Sequence, residues 1–127
     1  SYQEVSQQVR DVASGLIARG VNAGDRVVIV SENRLEWVVA DLAIMAIGAI
    51  SVPAFTSNTT DDHLHILEDS QAVAMICSTK RLAAIAEPAA ERSPYCRLMV
   101  MVEKSQTMHQ PAGLAVIAWQ RLMKDGA

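Results

Sequence analysis

The chain contains only two cysteines in 127 residues. Cys77 lies in an apolar run and Cys96 in a Pro-Tyr-Cys-Arg turn, with no Cys-x-x-Cys spacing. Both therefore read as free thiols with packing roles rather than as metal or redox ligands. Such sparse usage fits a reducing compartment, and a cytoplasmic location, peripheral to a membrane at most, is the expectation. Positive charge is also short: 11 Lys and Arg stand against 14 Asp and Glu, a formal net charge of −3. No basic field is available for a phosphate backbone, which excludes nucleic acid as the main partner.

Glycine is missing where nucleotide loops need it. A dinucleotide site wants glycines in the first strand-to-helix turn, and Ser31-Glu32-Asn33-Arg34 has none. A P-loop wants Gly-Lys, a pair that occurs nowhere, and Gly-x-Ser-x-Gly, the strained turn of a serine nucleophile, is likewise absent. A phospho-receiver would need acidic residues after its strands, which Val30-Ser31-Glu32 and Cys77-Ser78 do not supply. His63 and His65 are two apart, a spacing that points them to opposite sides of a helix, whereas a metal pair wants three or four. Met75, Met99 and Met101 fall in strand-like runs and read as core filler. No catalytic, cofactor-binding or metal-ligating residue is assigned from the sequence.

What is present is a globular composition, 50% hydrophobic and 20% charged, which argues against disorder. A chain of this length buries about 65% of its unfolded surface, enough for one domain over residues 1–127. The chain is organised around Gly24 to Phe55. Arg26 to Val30 is a short β-branched run entered through Asn22-Ala23-Gly24-Asp25, the pattern of a strand buried on both faces. From Arg34 to Ile47 the apolar residues take helical spacing, with Leu35, Val38, Val39, Leu42, Met45 and Ala46 on one stripe and Ala40, Ala43 and Ile47 on the opposite side. Gly48 ends that helix, and Ala49 to Val52 forms a second strand that Pro53 closes. Strand, helix and strand in so short a span make a βαβ unit. Trp37 to Phe55 is long enough to span a bilayer and carries one charge, Asp41, but Gly48 and Pro53 interrupt it and the membrane reading is set aside. Asp41 is expected as a hydrogen-bonded or edge carboxylate.

Around this unit the chain alternates. Ser1-x-x-Glu4 is a capping box that starts a helix at once, with Val5, Val9, Val12, Ala13, Leu16 and Ile17 inward, Gln7, Arg10, Asp11 and Ser14 outward, and Gly20 as the stop. So abrupt a start, with no signal peptide, reads as an excised piece. After a polar loop, Thr59 or Thr60 caps a helix to about Asp69 with Leu64 and Leu67 inward. Val73 to Cys77 is a strand, Ser78-Thr79 caps a helix from Lys80 to about Glu87, and Pro88 interrupts or restarts it. Ser78-Thr79-Lys80 reads as a plain cap in preference to a phosphate contact. Leu98 to Val102 is a strand, Glu103 to Gly113 a loop, Val116-Ile117 a short strand, and Trp119 to Lys124 a helical turn or two. The fold class is α/β, a mainly parallel sheet with helices on both faces, whose ligand-facing ends would be Ser31-Glu32-Asn33, Ala54 to Asn58, Ser78-Thr79-Lys80 and Glu103-Lys104.

The segments GVNAGDRVVIVSEN, EW and ADLAIMAIGAISVP, then LHILEDSQA after a polar loop, resemble the N-terminal part of the acyl-adenylating (AMP-binding) superfamily. Pro-Ala-Phe-Thr-Ser-Asn-Thr-Thr-Asp-Asp-His-Leu is most similar to its long-chain fatty acid–CoA ligase branch. The resemblance covers Ser1 to Cys77 well and the remainder loosely, and Ala118 departs from the Ser or Thr that usually caps the family's following helix. It implies an ATP-dependent acyl-CoA synthetase that uses ATP, Mg and coenzyme A, with this chain as a non-catalytic N-terminal subdomain. The family's Ser/Thr/Gly-rich loop and catalytic Lys lie beyond the matched part. The implied partners are the remainder of the parent ligase and a fatty or other carboxylic acid. A homodimer through apolar surface left bare on the Arg34 to Ile47 helix is also expected. The contrasting expectation is a stand-alone α/β interaction or regulatory module.

Overall fold

A computed structural model describes residues 1–103 and 113–126. Its elements alternate: α1 (Tyr2–Ala18), β1 (Arg26–Val30), α2 (Leu35–Ala46), β2 (Ile50–Ala54), α3 (Thr60–Ser70), β3 (Ala74–Cys77), α4 (Lys80–Arg92), β4 (Leu98–Met101), β5 (Ala115–Ala118) and α5 (Trp119–Gly126). The strands form one 5-stranded sheet in the order β2-β1-β3-β4-β5, every pair parallel. The chain leaves β1 in one direction to reach β2, then doubles back past β1 to β3 and continues. Right-handed crossovers put helices on opposite faces when the direction reverses, so α2 lies on one face and α3 and α4 on the other.

Strand alternation builds two cores. Val27, Ile29, Ala74, Ile76, Leu98, Val100 and Ile117 point into a core completed by α1, α2 and α5. Val28, Val30, Met75, Cys77, Met99 and Val116 point the other way, under α3 and α4. A sheet covered on both faces explains why these runs are continuously apolar.

The caps fall where short polar side chains precede apolar periodicity. Ser1 and Glu4 close a capping box on α1, Thr59 and Asp62 close another on α3, and Thr79 Oγ1 accepts the Leu82 amide on α4. Hydrogen bonds from the Thr59 backbone and side chain hold the Asp62 carboxyl below the usual range. At the far end of α1, Arg19 donates to Asp125 of α5 at 2.8 Å. That bond, aided by Arg121, holds the Asp125 carboxyl low as well.

Several expectations are corrected. On α2 the buried residues are Val39, Ala40, Ala43 and Ile44, while Leu35, Val38, Leu42 and Met45 are exposed. The helix thus turns its smaller apolar face to the sheet, where small side chains let backbones approach. Apolar residues on every side leave no moment from which to read the orientation. Ile17 on α1 is 58% exposed, and Asp11 is half-buried rather than outward. On α3 the inward residues are His63 and Leu67, with Leu64 only half-buried. Pro88 does not interrupt α4, which runs to Arg92. The proline is exposed, so the amide it lacks is missing from the solvent side, while Leu82, Ala83, Ala86, Ala89 and Ala90 form the buried face. Val73 and Val102 fall just outside their strands, β2 runs on through Pro53 to Ala54, and α5 continues to Gly126, starting directly from β5. Most of the expected Glu103 to Gly113 loop, Lys104 and Pro111 included, lies outside the described residues.

Candidate functional site

In an open parallel sheet the ligand crevice forms beyond the carboxyl ends of the strands, at the point where chain direction reverses. Here that point lies between β1 and β3. The two strands end side by side, and the Ser78 amide donates to the Val30 carbonyl at 3.0 Å.

Side chains from three loops close over this junction. The Arg34 guanidinium donates to the Ser78 carbonyl at 3.0 Å and also pairs with Glu36 at 3.3 Å. The Glu103 amide donates to the same Ser78 carbonyl at 3.1 Å, and the Glu103 carboxylate accepts the Lys80 amide at 3.2 Å. Arg81 stands 3.9 Å from Glu32 across the mouth. The first amide of α4 is therefore already bonded to a carboxylate, and Arg34 and Arg81 are paired with Glu36 and Glu32. The Ser78 carbonyl is thus taken up by Arg34 and by the Glu103 amide, while Ser78 Oγ beside it has no partner among the described residues. Sequence reasoning located these loop ends but missed that Arg34 and Glu103 meet at Ser78, a contact between residues 44 apart in the first case.

The remaining candidates are dispersed. Asp41 is half-buried on α2, where its Oδ1 accepts the Ser51 hydroxyl of β2 at 2.6 Å, which satisfies it structurally. His63 is 1% exposed while His65 is exposed, so the pair faces opposite ways. Burial pushes the His63 imidazole below its ordinary value, against a smaller pull upward from Asp62. Among the described residues, His63 Nδ1 and Ser78 Oγ are buried side-chain atoms without a hydrogen-bond partner. Cys77 and Cys96 are free and buried. Burial pushes the Cys77 thiol strongly upward and Cys96 up to about 11, so neither is a nucleophile near neutrality. Among the described residues no cluster of three or more His, Cys, Asp or Glu side chains could hold a metal, and no helix is long and apolar enough to cross a membrane.

The family model described as AMP-binding enzyme matches residues 1–120. The long-chain-fatty-acid–CoA ligase FadD15 of Mycobacterium tuberculosis is 36% identical over 124 residues, 98% of this chain and 19% of that protein. A long-chain-fatty-acid–[acyl-carrier-protein] ligase of Arabidopsis thaliana, AEE15, is 26% identical over 99% of this chain and 18% of its own length. Among solved structures, the adenylation domain of the carboxylic acid reductase of Segniliparus rugosus superposes with a TM-score of 0.85 at 22% identity, covering 99% of this chain and 23% of that one. Coronafacic acid ligase of Pectobacterium brasiliense superposes at 0.87 and 18% identity, covering 98% of this chain and 24% of its own. Both likenesses speak for the fold, and the chain spans only about a fifth of the curated relatives it matches. With a family model matched over nearly its whole length, and the doubly wound sheet to go with it, the chain belongs to the AMP-binding enzyme family.

Proposed function

We propose that this chain is the N-terminal portion of an ATP-dependent acyl-CoA synthetase acting on long-chain fatty acids. The observation that carries this is the 36% identity to FadD15 across 98% of the chain. In the complete enzyme a carboxylate oxygen attacks the α-phosphorus of ATP, the bond to the β-phosphate bridge breaks, and pyrophosphate leaves. The thiolate of coenzyme A then attacks the acyl carbonyl and expels AMP. Mg would offset phosphate charge, and donors would be needed around the transferring group.

The piece in hand contributes scaffold. At its crevice Arg34, Arg81 and the first amide of α4 already have partners, which supports a structural rather than a catalytic role and an isolated chain that forms no adenylate. Two free, buried thiols fit a reducing compartment, and we place the parent enzyme in the cytoplasm. The remainder of the ligase is the principal partner. Cut off from it, the chain pairs with itself through the exposed side chains of α2. Light scattering over a concentration series should show mass rising toward a dimer, and a monomer at every concentration would refute the pairing. The test of function is fatty-acid-dependent formation of acyl adenylate and acyl-CoA by the complete gene product. Failure with a panel of long-chain acids would overturn the assignment.

A further inference from the structure

From Ser51 to Ile66 a single residue is buried, and it is titratable. His63 is 1% exposed, whereas every other residue of that stretch is half-buried or exposed. The stretch holds the end of β2, a turn closed by the Asn58 amide on the Phe55 carbonyl at 3.2 Å, and the first two turns of α3. It forms the corner that leads the chain from the sheet onto the α3 and α4 face. The corner lies beyond the carboxyl end of β2, the side of such a sheet on which ligands bind, and Phe55 is 78% exposed there. Two polar contacts tie the corner to α4. Thr60 Oγ1 donates to the Ile85 carbonyl at 2.7 Å, and exposed Asp61 stands 3.7 Å from Arg92. The Thr59–Asp62 capping box closes α3 on itself without reaching a neighbouring element.

The site of His63 tolerates the neutral ring only. Its Nδ1 is buried without a hydrogen-bond partner among the described residues. A neutral imidazole can leave that nitrogen as an idle acceptor, but the imidazolium has a proton on both nitrogens, and Nδ1 would become a charged donor with no acceptor. The surroundings do little to offset such a charge. Helix α3 packs on β2 and α4. β2 has no ionisable side chain. On α4, Arg81 is paired with Glu32 and Arg92 with Asp61, and neither these nor Lys80, Glu87 and Glu91 act on His63. On α3 itself, Asp61, His65, Glu68 and Asp69 are exposed, and the Cys77 thiol in the core beneath is kept neutral by burial. The carboxylate that does act is Asp62, more weakly than burial, and its Oδ2 is committed to the Thr59 amide at 3.0 Å.

We propose that His63 is a pH-gated latch on the β2–α3 corner: uncharged, it pins the Phe55 to Asp62 segment to the core, and on protonation it leaves its site and lets this ligand-side segment open. The closed corner favours the neutral ring, so the latch is fully set above the ordinary imidazole value and weakens as pH falls below it. A ring released to solvent titrates near about 6.5, so the open corner should gain about tenfold in population between pH 7.5 and 5.5. The capping box does not titrate over that range, because its hydrogen bonds to Thr59 hold the Asp62 carboxyl low. One buried side chain thus sets the order of a corner that is otherwise at the surface.

Amide hydrogen exchange of the complete gene product, read by peptide mass spectrometry, tests the latch. Peptides spanning residues 55–64 are compared with residues 79–86 at the Thr79-capped start of α4, a helix beginning at the same end of the sheet without a histidine. Each rate is divided by the free-peptide rate at the same pH, so that protection reports the opening equilibrium. Protection over residues 55–64 should fall about tenfold from pH 7.5 to 5.5, and that over residues 79–86 by less than about threefold. His63→Gln and His63→Leu should each abolish the pH dependence, while His65→Gln, on the exposed side, should keep it. A fall of less than about threefold at residues 55–64 would overturn the latch, as would an equal fall at α4, which would mean a loosening of the whole fold. Persistence of the pH dependence in either folded His63 variant, or its loss in His65→Gln, would overturn it as well.

Discussion

Helices α1 and α5 touch backbone to backbone, and Gly15→Ala tests how much that contact contributes. A methyl group on Gly15 would collide with the Leu122 carbonyl oxygen and reach Leu122 Cγ at 3.0 Å. The crossing is reciprocal, because a methyl on Gly126 would collide with the Asp11 carbonyl oxygen. Alanine gains about 1 kcal/mol of helix propensity over glycine. Against that, a clash with helix backbone cannot be relieved by turning a side chain, and costs about 3 kcal/mol at the upper end of overpacking. Moving α5 away instead uncovers Leu122, a side chain whose full burial is worth roughly 1.5 to 3 kcal/mol. The net loss is then about 2 kcal/mol, or a Tm lower by about 8 °C for a chain of this size. Gly24→Ala is the control: its φ of +85° strains alanine, but nothing lies within 4 Å. It should lose only about 1 kcal/mol. Thermal unfolding followed by circular dichroism reads both. A Gly15→Ala chain as stable as the parent would refute the close crossing, since propensity alone would then decide the sign.

Two further outcomes follow from buried titratable groups. His63 is held neutral by burial, so its folded pKa lies below the unfolded value near 6.5. The stability it contributes is full above that unfolded value and is lost as pH falls through the folded one. Tm should therefore drop between pH 7.5 and 5, and the drop should be smaller in His63→Gln. An equal slope in the two proteins would contradict this. Cys77 and Cys96, buried with raised pKa values, should resist a thiol reagent at pH 7 until the chain is denatured, and prompt reaction of the native chain would contradict their burial.

The strands were legible because Val27 to Val30 and Ala74 to Cys77 are continuous apolar runs bounded by turn residues, and burial on both faces demands that pattern. The capping box at Ser1 was legible for a similar reason, since its partners lie three residues apart, whereas at the third helix the sequence offered Thr59 or Thr60 as a cap and the structure shows a box between Thr59 and Asp62. The orientation of α2 was not. Two apolar rows compete on one helix, and the choice between them depends on how closely α1 and the sheet approach. The junction at Ser78 was hidden as well, because Arg34, Glu103 and Lys80 meet only after β1, β3 and β4 are aligned. His63 was legible as facing away from His65, but no spacing rule announces that a polar side chain will be fully buried.

The central claim, an N-terminal scaffold of an acyl-adenylating ligase, is tested most directly by fatty-acid-dependent exchange of labelled pyrophosphate into ATP. The complete gene product should catalyse the exchange with long-chain acids, while residues 1–127 alone should stay at background. No exchange by the complete product with any carboxylic acid, or acid-dependent exchange by the isolated chain, would contradict the account.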